Sequence, residues 1–103
     1  MRKVSQNYER PEKQIFNVVR DLVIRLKLDI VSSDKVAGVL QGKTETKYIF
    51  FGGIIYSFII REIDTNKTQV AISTQGDISQ NAFDSFTVKF FKLMDKAFPT
   101  VVN

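Results

Sequence analysis

The sequence predicts one α+β domain spanning residues 1–103: an N-terminal helix, an antiparallel meander of four to five strands and a C-terminal helix, both helices on one face of the sheet. Three observations carry this. Two stretches, one near each end, repeat apolar residues at the spacing of a helix. The chain between them runs in short apolar or alternating segments separated by turn residues, as strands do. The strands are not interleaved with helices, so a parallel sheet is not expected. At 103 residues the chain has room for one core and not for two.

The polar residues 1–9 are expected to fray as a flexible tail. Pro11 suits a first helical turn, where its missing N–H costs nothing, and Glu12 complements the helix dipole there. Ile15, Val19, Leu22, Val23 and Leu26 follow at spacings of three and four, widened by Phe16 and Val18. Asn17, Arg20, Asp21 and Arg25 take the other side, which predicts a helix over about residues 11–27. Residues 28–33, LDIVSS, read as a short strand ending in a turn at Asp34-Lys35. Residues 36–44, VAGVLQGKT, read as a second strand in which Gly38 and Gly42 point to a bulge or a close backbone approach.

The densest apolar stretch is residues 48–63, YIFFGGIIYSFIIREI, rich in aromatic and β-branched residues. Its 13-residue apolar heart, Tyr48 to Ile60, is short of the ~20 residues a membrane-spanning helix needs. Gly52-Gly53 either split it or kink it, giving a short strand near residues 47–51 and a long one near 54–63. A turn at Asp64-Thr65-Asn66-Lys67 leads to the alternating strand 68–74. A three-residue loop would set Val70 and Ile72 beside Phe58 and Ile60, whereas two or four residues would set them beside Ile59 and Arg61; the first keeps apolar beside apolar. The second helix starts near Asp77 or Ser79, presents Phe83, Phe86, Phe90, Met94 and Ala97 as its core stripe, and stops before Pro99.

Composition limits the chemistry. There are no cysteines and no histidines, which removes disulfides, thiol nucleophiles, zinc-thiolate sites and the usual general base near neutral pH. No catalytic residue, cofactor or metal site is assigned. Ala37 to Thr44, AGVLQGKT, fits the loose phosphate-loop pattern, but it reads as a strand with no helix after it, so nucleotide binding is not expected. The pair Glu62 and Asp64 reads as solubilising residues beside a turn, so the chain is not expected to be an enzyme.

The order of a helix, the strand–turn–strand LDIVSSDKVAGVLQGKT, a long hairpin and a final helix resembles the small helix–β-meander–helix, TBP-like domains of bacterial envelope lipoproteins such as BamC. The resemblance covers residues 11–98 and implies a non-enzymatic role in a cell-envelope assembly. No lipobox cysteine is present, and no apolar run of signal-peptide length follows the charged MRKVSQNYER. The expected compartment is the periplasm or envelope if a leader was removed, and the cytoplasm otherwise.

Two surfaces stand out. From residue 48 to 60 both phases of the strand are apolar, so something covers its second face: a segment of the same chain, a second copy, or an apolar ligand or partner protein. Tyr48, Phe50, Phe51, Tyr56 and Phe58 are the candidate interaction residues. The whole net charge of +4 lies in residues 1–27, with seven basic against three acidic residues. Arg20, Arg25 and Lys27 are therefore the candidate contacts for an anionic polymer, nucleic acid or membrane surface. Protein–protein contact or homodimerisation leads this reading, with anion binding by the first helix or carriage of an apolar small molecule as alternatives.

Overall fold

A computed structural model describes residues 2–44, 54–74 and 78–98. Its elements in chain order are β1 (Arg2–Tyr8), α1 (Glu12–Arg25), β2 (Asp29–Asp34), β3 (Val39–Lys43), β4 (Ile55–Asp64), β5 (Lys67–Thr74) and α2 (Gln80–Ala97). The strands form one antiparallel sheet in the order β1-β5-β4-β3-β2, so β4 is central and β1 and β2 are the edges. The expected α+β architecture is the one observed. The predicted strand near residues 47–51, the Gly52-Gly53 question, Asp77 and Pro99 lie outside the described residues.

The N-terminus corrects the sequence reading. Residues 2–8 form an edge strand in continuous register with β5, from Arg2 opposite Thr74 to Tyr8 opposite Thr68. Only Val4 and Tyr8 are strongly apolar there, because one face of β1 is open to water and an edge strand needs few core contacts. Backbone pairing holds the rest. Arg2 fastens the strand to the start of α2 by donating to the Ile78 carbonyl at 2.9 Å and to Gln80 Oε1. Thr68 Oγ1 donates to the Arg10 carbonyl at 2.8 Å and fastens the far end.

The first helix is two residues shorter at its C-terminus than predicted. Its end is closed by Lys27 N–H donating to the Ile24 carbonyl and Leu28 N–H donating to the Val23 carbonyl, at 2.9 and 3.1 Å. This is the Schellman arrangement, with Lys27 in the left-handed position at φ 65° and Leu28 packed back on the helix. At the start of α2, Ser79 accepts a hydrogen bond from Ala82 N–H at 3.1 Å.

The strand expected over 36–44 is confined to Val39–Lys43, because residues 35–38 form the turn. Gly38 sits at φ 71°, and its carbonyl accepts from Ile60 N–H at 2.7 Å. A Cβ at Gly38 would lie 2.1 Å from the Ile60 carbonyl oxygen. At Gly42 a Cβ would meet Val23 Cγ1 at 3.0 Å and Leu28 Cβ at 3.2 Å, so its bare backbone is what lets the end of α1 settle on the sheet. The close approaches that the two glycines suggested are both present.

The β4–β5 hairpin reaches the expected partners by a different route. Asp64 pairs with Lys67 around a two-residue turn, Thr65-Asn66, with Asn66 at φ 55°. Alone, that turn would put Val70 and Ile72 opposite Arg61 and Ile59. A bulge between Glu62 and Asp64 inserts one residue, Ile63, and restores Phe58 opposite Ile72 and Ile60 opposite Val70. Burying two apolar pairs outweighs an uninterrupted ladder at the hairpin end.

The core lies between the sheet and both helices. Ile15, Phe16, Val19, Leu22 and Val23 of α1 and Phe83, Phe90, Phe91 and Met94 of α2 meet Leu40, Tyr56, Phe58, Ile60, Val70 and Ile72. Ala97, expected in the α2 stripe, is exposed; Thr87 takes a buried place instead, its hydroxyl donating to the Asp84 carbonyl at 3.2 Å. Phe98 closes the end of the core against Tyr8, their rings 6.3 Å apart.

Candidate interaction surface

The alternation of β4 decides what each face of the sheet presents. Tyr56, Phe58 and Ile60 point toward the helices, while Ile55, Ser57, Ile59 and Arg61 point away. Tyr56 stacks on Phe86 at a ring separation of 3.9 Å, and Phe58 lies 5.1 Å from Phe90. Tyr56 and Phe58, predicted as interaction residues, are therefore core residues and not a surface. Helices of the same chain cover them. Tyr48, Phe50 and Phe51, the other three candidates, lie outside the described residues.

The opposite face is open among the described residues. Ile55, Ile59 and Ile63 are each about two-fifths exposed, at 40%, 38% and 41%, along the central strand. The strand pairings place Ile55 and Ile59 in cross-sheet rows, while Ile63 is the unpaired residue of the bulge. One row runs Ser5, Ala71, Ile59, Val39, Asp34; the next runs Lys3, Ser73, Ser57, Gln41, Ser32; a third holds Ile55, Lys43 and Asp29. The face is thus apolar at Ile55 and along the Ile59 row, polar along the Ser57 row, and charged at Lys3, Asp29 and Asp34 on its edges and at Arg61 and Lys43 on its inner strands. Gln41 Nε2 donates to Ser57 Oγ at 3.0 Å and ties two of these strands together. Sequence reasoning named the aromatic residues of a stretch that is apolar in both phases. The signal for the other phase was the isoleucine at every fourth position, Ile55, Ile59 and Ile63, which only a known register separates from the core set.

Arg20, Arg25 and Lys27 are all exposed on or just beyond α1. At about 100° per residue, Lys13, Arg20 and Lys27 fall on one stripe of the helix, with Arg25 turned away from it. Lys35 reaches the same side, donating to Asn17 Oδ1 at 3.2 Å. Exposed Asp21 stands beside the stripe, Arg25 lies off it, and Lys27 also serves as the helix-closing residue, so this group is more diffuse than the sequence suggested.

Nothing described forms a catalytic or metal constellation. Among the described residues no group of three or more carboxylates is placed to hold a metal ion. The segment that fits the phosphate-loop pattern is strand β3, with Gly42 beneath Val23 and Leu28, so its amides make ladder bonds and do not form an anion cradle. No described helix is long and apolar enough to cross a membrane.

Two tyrosine hydroxyls feel the packing. Burial pushes Tyr8 well above the ordinary tyrosine range, and the Asp95 carboxylate adds to it; burial alone raises Tyr56. The folded chain thus holds protons that the unfolded chain releases near pH 10. Stability should be unaffected by these groups below about pH 10 and should fall above it, since the unfolded state then binds fewer protons. Urea unfolding at about pH 9 and 11 checks this, with a shallower decline expected in Tyr8→Phe.

No protein-family model matches the sequence, and no curated protein matches it significantly. Among solved structures, the fold is similar to the di-domain ARO/CYC BexL from the BE-7585A biosynthetic pathway, with a TM-score of 0.62 and 11% identity over 90% of this chain. The chain spans 45% of that protein's length. TTHA0849 from Thermus thermophilus aligns over 91% of this chain and 86% of its own, at a TM-score of 0.36 and 8% identity. At these identities the likeness to BexL is one of fold.

Proposed function

We propose that this domain is a non-catalytic interaction module whose contact surface is the open face of the sheet. The observation that carries the reading is the line of half-exposed isoleucines, Ile55, Ile59 and Ile63, on a central strand whose other side, Tyr56, Phe58 and Ile60, is packed under the helices. Isolated apolar residues on a surface need no explanation, but three at four-residue spacing on one strand, with half-buried Val39 beside Ile59, form an apolar line. The resemblance to envelope lipoprotein domains supports placing such a module in a bacterial cell-envelope assembly if a leader was removed, and in the cytoplasm otherwise.

The ARO/CYC description of BexL raises a catalytic reading, and carriage of an apolar small molecule is a further alternative. The chain has no histidine and no cysteine to act as base or nucleophile. The layer between sheet and helices is filled by Phe58, Phe86, Phe90 and Met94, which favours a solid core over a substrate chamber. Binding of an anionic polymer or membrane surface by Arg20, Arg25 and Lys27 is the second reading, favoured by their exposure and by Lys13 and Lys35 on the same side.

Photo-crosslinking in the cell of origin separates these readings. A photoreactive residue at position 59 should give a discrete protein adduct, and one at Ser85, on the exposed side of α2, should not. No adduct at 59 would overturn the sheet-face reading. Salt-sensitive retention on heparin, lost in Arg20→Glu/Arg25→Glu, would then point to α1 instead.

A further inference from the structure

Resting on that reading of the sheet face, we propose that its occupant is a second copy of this chain, stacked face to face about a two-fold axis running along β4. The strand order makes the face symmetric about its middle: two strands lie on either side of β4. A two-fold along β4 brings each Ile55 and Ile59 against its own counterpart and lays the β1 edge of one copy over the β2 edge of the other. The outward residues of those edges are opposite in charge. Lys3 stands on β1, while Asp29 and Asp34 stand on β2 in the rows immediately on either side of it. Asp34 accepts from Ala37 N–H at 3.0 Å through one oxygen and keeps its other oxygen and its charge exposed.

The alternatives fit less well. A two-fold across the strands would set Lys3 toward Lys3 and the aspartates toward each other. Pairing β2 to β2 edge to edge, centred on Val31 and Ser32, would place Asp29 against Asp34 at both ends, and like charges opposite one another destabilise a ladder. In the face-to-face arrangement Lys43 and Arg61 lie at opposite ends of the face; Arg61, on the axis strand, meets its own counterpart, and its long stem must carry that charge out to the rim. The edge charges are self-complementary, as an isologous contact requires.

The face is also large enough. Five strands at ~4.8 Å each, and seven residues of β4 at ~3.3 Å each, give roughly 24 by 23 Å before side-chain relief is counted. That is of the order of the ~800 Å² per partner that a standard interface buries. Stacked sheets sit ~10 Å apart and cross at about −30°, a spacing that isoleucine and valine fill from both sides.

Sedimentation equilibrium of the full chain at about 100 μM, above the micromolar end of affinities for interfaces of this size, tests the proposal. The expected mass is twice the 11.8 kDa of one chain. Ile59→Lys and Lys3→Glu should each return the mass to that of one chain with unchanged circular dichroism, because both residues point to solvent in the isolated copy. Lys3→Glu combined with Asp29→Lys/Asp34→Lys should restore the doubled mass. A wild-type chain of single mass, or a dimer indifferent to Ile59→Lys, would overturn the second copy as occupant. If the single-mass chain still forms an adduct from position 59 with another protein, only this inference fails. If position 59 gives no adduct at all, the sheet-face reading fails with it.

Discussion

Gly38→Ala should destabilise the domain by about 3 kcal/mol or more, making it one of the costliest single-methyl additions available in this chain. Two effects combine. A left-handed backbone at φ 71° costs an L-residue with a Cβ about 1–2 kcal/mol. The new methyl would also stand 2.1 Å from the Ile60 carbonyl oxygen, which is backbone and cannot rotate away. The turn must then lift from β4 and lengthen the bond from Ile60 N–H to the Gly38 carbonyl, adding about 1–3 kcal/mol for a buried pair left unmade. Gly42→Ala is the matched control. Its methyl would meet side chains of Val23 and Leu28, which can give, and the expected cost is about 1–3 kcal/mol. Urea unfolding of the two variants decides the matter, and a loss at Gly38 below about 1 kcal/mol would show that the turn is not held as described.

Phe58→Ala should cost about 3–5 kcal/mol and threaten folding altogether. Phe58 is fully buried in the middle of the central strand, against Phe86 at 6.2 Å and Phe90 at 5.1 Å, so truncation leaves a cavity with rigid aromatic walls. Ile59→Ala, one residue away on the other face, should cost the single chain only about 0.5–1 kcal/mol, because its side chain is already partly in water. In a dimer that stacks on this face the Ile59→Ala loss grows with protein concentration, whereas the Phe58→Ala loss does not. Equal costs for the two at high dilution would mean that both faces of β4 are covered within one chain.

These two substitutions also mark the limit of what was legible in the sequence. The helical stripes Ile15–Val19–Leu22–Val23 and Phe83–Phe90–Met94, the hairpin, and the pairing of Phe58 and Ile60 with Ile72 and Val70 could all be read from periodicity, because burying apolar side chains at the period of the local backbone is the largest driving force for folding. The apolar excess of β4 was visible too. Which half of it faced water was not, since strand alternation assigns residues to two sets and only the position of the helices says which set is inside.

Three other features belonged to the tertiary structure alone. β1 reads as a loose tail because its stability comes from main-chain pairing with β5, more than sixty residues away in places, and main-chain groups are the same in every sequence. The bulge at Ile63 is a compromise between a tight turn and the apolar register beyond it, so neither segment alone demands it. The charge pattern of the open face, with Lys3 at one edge and Asp29 and Asp34 at the other, exists only once the strand order is set. Periodicity and composition alone settled the α+β class, the two amphipathic helices and the absence of histidine and thiol chemistry, because each is a property of local spacing or of residue content. The position of the aromatic residues inside the core and the isoleucines outside it depended on which face of the sheet the two helices chose, a packing decision made between segments far apart in the chain.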